Sequence, residues 1–419
     1  MGLKKIFLRY HPPGIVLEYT RQEKEHKKEI DLYELSPDDS SESVAEQIIE
    51  NERLLSSNKL KMITDMIEKI QSKLREETDH KFHLVRNIKA HLLPITNVAF
   101  NKLASKFATA SYDRTCKIWD TETGNQLHSL EGHDNVVYTV AFNLPYGDRI
   151  ATGSFDKSIK IWSTEDGTCL QTLTGHGGEV VTLQFSPKGN FLASGSMDTT
   201  ARIWNIETGQ QIAKMDDHCG EIISICFNFQ GTQILTCSFD QTLGVWSAIN
   251  SSLGKRQLKL IGHTAEVSAG KFNFRGDLIL SGSMDGTMRL WHSVSGQILS
   301  VFQDFEDEVL DVAFNLTGTL AAGCTVNGKI RCFHVNTQRE IGIFDDHPED
   351  EISRIVFSPS GNRLLTASVD NNARIWCAQT GRLIQTLEGH TQEIFSTTFS
   401  YDGKTIITAS KDNTCRIWR

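Results

Sequence analysis

Seven stretches of this chain are copies of one template. KFATASYDRTCKIWD (106–120), RIATGSFDKSIKIWS (149–163), FLASGSMDTTARIWN (191–205), QILTCSFDQTLGVWS (233–247), LILSGSMDGTMRLWH (278–292), RLLTASVDNNARIWC (363–377) and TIITASKDNTCRIWR (405–419) each place an Asp six residues before a Trp. The seven pairs, from Asp113 and Trp119 to Asp412 and Trp418, use every tryptophan in the chain. An eighth copy, LAAGCTVNGKIRCFH (320–334), keeps the spacing but puts Asn327 and Phe333 in those slots. Successive copies lie 42 to 45 residues apart. A fixed period of that length means one supersecondary unit repeated, each unit burying its apolar faces against its neighbours.

A second signal precedes each Asp by 22 or 23 residues. It is Gly-His at His133, His176, His263 and His390, and His alone at His91, His218 and His347, with Phe305 in the degenerate copy. Within a unit, runs such as VVYTVAF, RIATGSF and SIKIWS are rich in strand formers and are separated by Gly, Asn and Asp turns. Each unit is therefore expected to be three or four short antiparallel strands. HLVRNIKAH (83–91) reads as an outer strand with no inner strands before it, and the chain stops one residue past the last Trp. Pairing residues 83–90 with the last unit would close a ring and cover two open edges.

The period, the His signal and the terminal Trp together make the chain resemble the WD40 repeat family over residues 83 to 419. The resemblance implies an all-β fold, a β-propeller of eight blades, with seven plus a collapsed copy as the alternative. It also implies a hydrogen-bonded network in each blade, from indole to hydroxyl to imidazole to Asp, with the hydroxyl two residues before the Asp. That assigns Ser111, Ser154, Ser196, Ser238, Ser283, Thr325, Ser368 and Ser410. The fullest networks would be His133–Ser154–Asp156–Trp162, His176–Ser196–Asp198–Trp204 and His390–Ser410–Asp412–Trp418. Ser, His and Asp are also the parts of a hydrolase triad, but catalysis needs one exposed nucleophile with an oxyanion site. Near-identical copies at a structural period are fasteners, so no catalytic residue, metal or cofactor is expected.

The same resemblance places the His loops on one face and marks two positions per blade as partner contacts. Three residues after His stand Pro94, Val136, Glu179, Glu221, Glu266, Glu308, Glu351 (allowing one inserted residue) and Glu393. One residue before the Asp position stand Tyr112, Phe155, Met197, Phe239, Met284, Val326, Val369 and Lys411. Carboxylates beside aromatic and Met side chains suit a basic, amphipathic partner. Two acidic runs, DFEDE (304–308) and DDHPEDE (345–351), fall on the same expected face, and the degenerate copy is a further candidate contact blade.

Charge and cysteine usage narrow the function classes. A net charge of -9 with a pI near 5.9 argues against a nucleic-acid binder that works by neutralising phosphates. No apolar run reaches the roughly 18 to 20 residues that span a bilayer, so no membrane insertion is expected. The nine cysteines are scattered, without a C-x-x-C pair, as reduced thiols rather than a disulfide or zinc framework.

Residues 1–80 differ in kind from 81–419 and read as a small mixed α/β module. KKIFLRYH and IVLEY flank a Pro-Gly turn as two short strands, and the charged stretch from Arg21 to Ser43 reads as a connector. Ser43 and Glu46 form a capping box opening a helix whose Ile63, Met66, Ile67, Ile70 and Leu74 keep helical spacing, with a break expected at Ser56-Ser57-Asn58. With this extension the whole chain is similar to WD40 adaptors of ciliary dynein transport. That resemblance implies a monomeric, non-catalytic adaptor linking outer-arm dynein to an intraflagellar transport complex subunit. It implies a place in the cytoplasm, at the ciliary base and in the axoneme of the cilium or flagellum. A generic scaffold, such as a ubiquitin-ligase substrate receptor or a G-protein-beta-like subunit, is the alternative. The only Trp-Asp pair continues as Trp119-Asp120-Thr121-Glu122, without the Arg such receptors carry.

Overall fold

The computed structural model describes all residues except 1, 10–13, 22–23, 33–34, 36–38, 53, 304, 343 and 345–349. The Pro-Gly turn and His347 therefore lie outside the described residues, as does most of the DDHPEDE run. The chain forms two compact units, Met1–Lys81 with Ser360–Asn362, and Phe82–Pro359 with Arg363–Arg419.

The first unit is a three-stranded antiparallel sheet with two helices. Strands β1 (Gly2–Arg9) and β2 (Gly14–Arg21) pair as the sequence suggests, and β3 (Lys24–Asp31) adds to β2. This third strand corrects the reading of Arg21–Ser43 as a connector. Its sequence, KEHKKEID, has no apolar alternation; among its described side chains only Ile30 packs on the core, and charges on this edge strand blunt the open edge. Helix α1 runs Ser41–Asn51 and is capped by Ser40, whose Oγ accepts from the Ser43 N–H, so the helix opens three residues before the expected box. A 3-10 turn at Ser57–Lys59 leads into α2 (Leu60–Asp79). Ile63, Ile67 and Ile70 of α2 pack with Ala45 and Ile48 of α1 and with Ile15 and Leu17 of β2 in one core.

The second unit is a ring of eight sheets. Seven have four antiparallel strands and the sixth has three among the described residues. The second blade shows the pattern: Val137–Phe142, Arg149–Ser154, Ile159–Ser163 and Cys169–Leu173, from channel to rim. The inner strand of each blade touches that of the next, and Ile394–Phe399 of the eighth touches Ile95–Phe100 of the first, so the ring is closed. The last blade takes its outer strand from the start of this unit. Strand β4 (Leu84–Lys89) pairs with Thr414–Trp418 in a register that sets Ile88 against Cys415 and Leu84 against Trp418.

Each Trp sits between blades. Trp204, from the third blade, packs against Ile159, Ile161 and Leu173 of the second; Trp162 does the same with Ile118 and Leu130 of the first. Small hydrogen bonds tie the inner strands together as well. Thr96 Oγ1 donates to the Val137 carbonyl at 2.7 Å and Ser353 Oγ to that of Ile394 at 2.6 Å.

The sixth blade keeps its sheet without its network. Phe305 fills the His position and is fully buried, and Gly323 stands where other blades carry a hydroxyl. A Cβ on Gly323 would lie 3.1 Å from the Phe305 ring, so the glycine makes room for it. Phe302 and Phe333 complete an aromatic cluster with centroids 4.3 Å apart. Replacing every polar partner at once leaves no group unpaired, which is why the blade survives the change.

Candidate partner-binding face

Six blades hold the expected network, with one correction; the sixth lacks it, and His347 of the seventh lies outside the described residues. In the second blade the Trp162 indole N–H donates to Thr152 Oγ1 at 2.8 Å, Thr152 donates to His133 Nε2 at 2.8 Å, and His133 Nδ1–H donates to Asp156 at 2.7 Å. The carboxylate can only accept, which fixes the proton on Nδ1 and the direction of the whole chain. The third blade uses Trp204, Ser194, His176 and Asp198; the eighth uses Trp418, Thr408, His390 and Asp412. The hydroxyl is thus four residues before the Asp, not two. Ser154, Ser196 and Ser410 lie outside the networks to which the sequence reading assigned them.

Register supplies the reason. Trp162 pairs across the ladder with Ile150, so Thr152 is its diagonal neighbour, while Ser154 is two residues further along, out of the indole's reach. All three alternate onto the same face, and strand parity cannot tell Thr152 from Ser154. The serines have another task. Ser154 Oγ accepts from the Asp156 N–H at 3.0 Å and donates to the Asn135 carbonyl at 3.2 Å, lashing the His loop to the turn that carries the Asp. Ser410 does the same with Asp412 and Gln392, and Ser196 accepts from the Asp198 N–H.

These networks position the face above them. In every blade the residue before the Asp position donates its N–H to the carbonyl of the residue three after His, as Met197 does to Glu179, Phe239 to Glu221, Met284 to Glu266, and Lys411 to Glu393. The two sets of positions that the resemblance marked therefore run side by side around one mouth. Glu308 and Glu351 are exposed, while Glu179, Glu221, Glu266 and Glu393 are half-buried. Partial burial and the neighbouring Glu393 push the Glu351 carboxyl up, and Lys411 pairs with Glu393 at 2.9 Å. The ring is uneven, because Pro94 and Val136 replace Glu in the first two blades. There, Tyr112 is exposed and Phe155 stacks on Tyr138 with centroids 5.3 Å apart. Tyr138 escaped the sequence reading because, inside VVYTVAF, it looks like any strand residue. Between the fifth and sixth blades an open groove of about 540 Å³ brings Met284 and Glu308 together with Glu306 and Asp307.

A profile of the WD domain, G-beta repeat matches residues 82–120, 124–163, 167–205, 209–247, 254–292, 338–377 and 381–419. The chain belongs to that family. The seven WD40 matches pass over the Phe305 blade, whose network residues are gone. Over 150 residues the chain is 50% identical to "Dynein assembly factor with WD repeat domains 1" of Mus musculus and 49% identical to its Homo sapiens counterpart. Those matches cover 36% of this chain and 36% of each relative, about a third of the relatives' length. Among solved structures, the computationally designed Ika8 protein is 26% identical, with a TM-score of 0.71, covering 80% of this chain and 99% of that one.

The WD40 networks carry an acid sensitivity. Burial alone would raise the Asp113, Asp156, Asp198, Asp240, Asp285 and Asp412 carboxyls. Hydrogen bonds from the paired imidazole and from the hydroxyl two residues on outweigh it and hold all six well below the ordinary 3.8. A carboxyl lowered in the folded state stabilises fully above its unfolded value and loses that contribution as pH falls toward the folded one. Burial also lowers the His263 imidazole from 6.5 despite Asp285, so it too erodes stability on the acid side. Urea melts should show a plateau near neutral pH and a steep fall below about pH 4, where the unfolded carboxylates take up protons. A midpoint unchanged down to pH 3 would refute the coupling.

Proposed function

We propose that this chain is a non-catalytic WD40 adaptor in dynein assembly, linking preassembled outer-arm dynein to the intraflagellar transport complex. The observation that carries this reading is the 50% identity over 150 residues to proteins named as dynein assembly factors. The mouth bearing Glu179, Glu221, Glu266, Glu308, Glu351 and Glu393 beside Tyr112, Phe155, Met197, Phe239 and Met284 is the surface assigned to a basic, amphipathic partner segment. Rigid blades carry these residues at fixed spacing, which lowers the ordering cost of binding. On this reading the protein acts as a monomer in the cytoplasm, at the ciliary base and along the axoneme, without nucleic acid or membrane insertion.

Affinity capture from ciliated-cell extract tests it, with the intact chain beside a variant in which Glu179, Glu221, Glu266 and Glu308 are changed together to Lys. The intact chain should retain both dynein-arm and transport-train subunits, and the variant should lose one of the two sets. Recovery of ubiquitin-ligase or signalling subunits, with no ciliary protein, would overturn the reading.

A further inference from the structure

The loop after the first blade's His departs from its copies. Leu92-Leu93 follows His91, where the other complete copies carry Asp134-Asn135, Gly177-Gly178, Cys219-Gly220, Thr264-Ala265 and Thr391-Gln392. The fold therefore does not require large apolar side chains there, yet Leu92 is 81% exposed and Leu93 48%. Neither can sink inward, because the backbone that carries them is fastened at several points. The Leu92 N–H donates to Asp113 Oδ2 at 3.2 Å, and Asn413 Nδ2 donates to the Leu92 carbonyl at 3.1 Å. Ser111 Oγ donates to the Pro94 carbonyl at 2.9 Å.

The two leucines extend an apolar sector of the mouth. The Tyr112 N–H donates to the same Pro94 carbonyl at 3.0 Å, and the Tyr112 side chain is exposed. Thr96 Oγ1 reaches the Val137 carbonyl of the second blade, which sets Val136, Tyr138 and Phe155 alongside. Pro94 and Val136 replace the ring carboxylates here, and the carboxylates resume on both sides, but unequally. On the eighth-blade side Glu393 is already paired with Lys411. On the third-blade side, among the described residues, no Lys or Arg pairs with Glu179, Glu221 or Glu266. A few exposed side chains fall short of the roughly 800 Å² per partner that a stable dimer buries, so a short segment suits the sector better than a second copy. A rigid, water-facing apolar anchor with a charged flank is the composition of a binding hot spot.

We propose that Leu92, Leu93, Tyr112 and Tyr138 anchor two bulky apolar side chains at one end of the partner segment, whose Lys and Arg residues then run over Glu179, Glu221 and Glu266. Because the first carboxylate on the eighth-blade side is neutralised, the segment runs from the first two blades toward the third, in one direction around the ring. The inference rests on the assignment of the mouth to a basic, amphipathic segment, and not on which assembly supplies that segment.

A random peptide library displayed on phage tests this, selected on the full chain, with each enriched peptide then titrated against variants. Leu92 and Leu93 are exposed and their loop is fastened through backbone atoms, so Leu92→Ser/Leu93→Ser should melt with the parent and a lost signal will not reflect unfolding. Enriched peptides should carry two Trp, Phe, Leu or Met residues toward one end and Lys or Arg toward the other. The best should bind Leu92→Ser/Leu93→Ser roughly tenfold or more weakly, and likewise Glu179→Lys/Glu221→Lys/Glu266→Lys, but Leu92→Met/Leu93→Met as tightly as the parent. Peptides that feel the Glu changes but not the serine changes would overturn the inference while leaving the acidic mouth standing. Apolar peptides without basic residues, weakened by the serine changes alone, would overturn it by making the sector a separate site. A dimer of the parent that the serine variant loses in sedimentation would overturn it in favour of a second copy. Peptides that behave as expected, with no ciliary protein captured from extract, would keep the surface and remove the dynein reading.

Discussion

A chain beginning at Phe82 should melt as one cooperative ring, and a chain beginning at His91 should not. The nine residues between them close the propeller. Phe82 is buried in the core shared by the seventh and eighth blades, alongside Leu365, Ile375, Ile406 and Trp418. Its N–H donates to Gln385 Oε1 at 2.8 Å. His83 and Arg419 exchange backbone hydrogen bonds at 2.6 and 2.9 Å, and the ladder runs on to Lys89 opposite Thr414. Burying one Phe contributes about 1.5–3 kcal/mol and each ladder bond about 1 kcal/mol net. The sum is on the order of 5 kcal/mol, comparable with the whole stability of an ordinary domain. Losing it also leaves Thr414–Trp418 as an unpaired edge beside buried Ile417 and Trp418. The shorter chain should melt about 10 °C or more below the longer one, or elute as aggregates, and a synthetic peptide of residues 82–90 should restore it. Equal melting of the two chains would show that the ring does not depend on β4.

The blades were legible because their code is local. Each unit carries its own strand pattern, turn glycines and His-to-Asp spacing, so eight copies reinforced one reading of the fold. What escaped was set by register or by solvent. Thr152 and Ser154 share one strand face, and only the offset of Trp162 against Ile150 chooses between them. Strand β3 hid because its described side chains are charged or polar except Ile30, so it shows none of the apolar alternation by which a strand is read. In the run Asp39-Ser40-Ser41-Glu42-Ser43 three serines could cap a helix, and the spacing to Glu46 pointed to the wrong one. Phe227 and Phe229 stand two apart in the same motif, yet one is 7% exposed and the other 59%, because the strand ends between them. The candidate contact positions came from the WD40 resemblance, but Tyr138 did not, since a residue facing the channel mouth obeys the same alternation as one facing the core.

Thr152→Val should cost far more stability than Ser154→Ala, and the order should repeat for Thr236→Val against Ser238→Ala and Thr408→Val against Ser410→Ala. Valine keeps the shape of threonine but removes the hydroxyl, so packing is nearly conserved. The loss then falls on two buried groups, the Trp162 N–H and His133 Nε2, both bonded to that one oxygen. Each unpaired group costs about 1–3 kcal/mol, giving roughly 2–5 kcal/mol for the substitution. The imidazole cannot turn Nε2 toward a new donor, because Asp156 already holds its Nδ1–H and the carboxylate also takes the Asp134 and Ser158 N–H groups at 3.0 and 2.8 Å. Ser154→Ala instead frees the Asp156 N–H and the carbonyl of Asn135, an exposed loop residue that water can reach, so about 1 kcal/mol is expected. Chemical denaturation of the six single variants measures both sets. If the serine variants were the costlier, the blades would be fastened by the hydroxyl two residues before the Asp, and the register argument would fall. If both sets were mild, the tryptophans would be held by packing between blades alone.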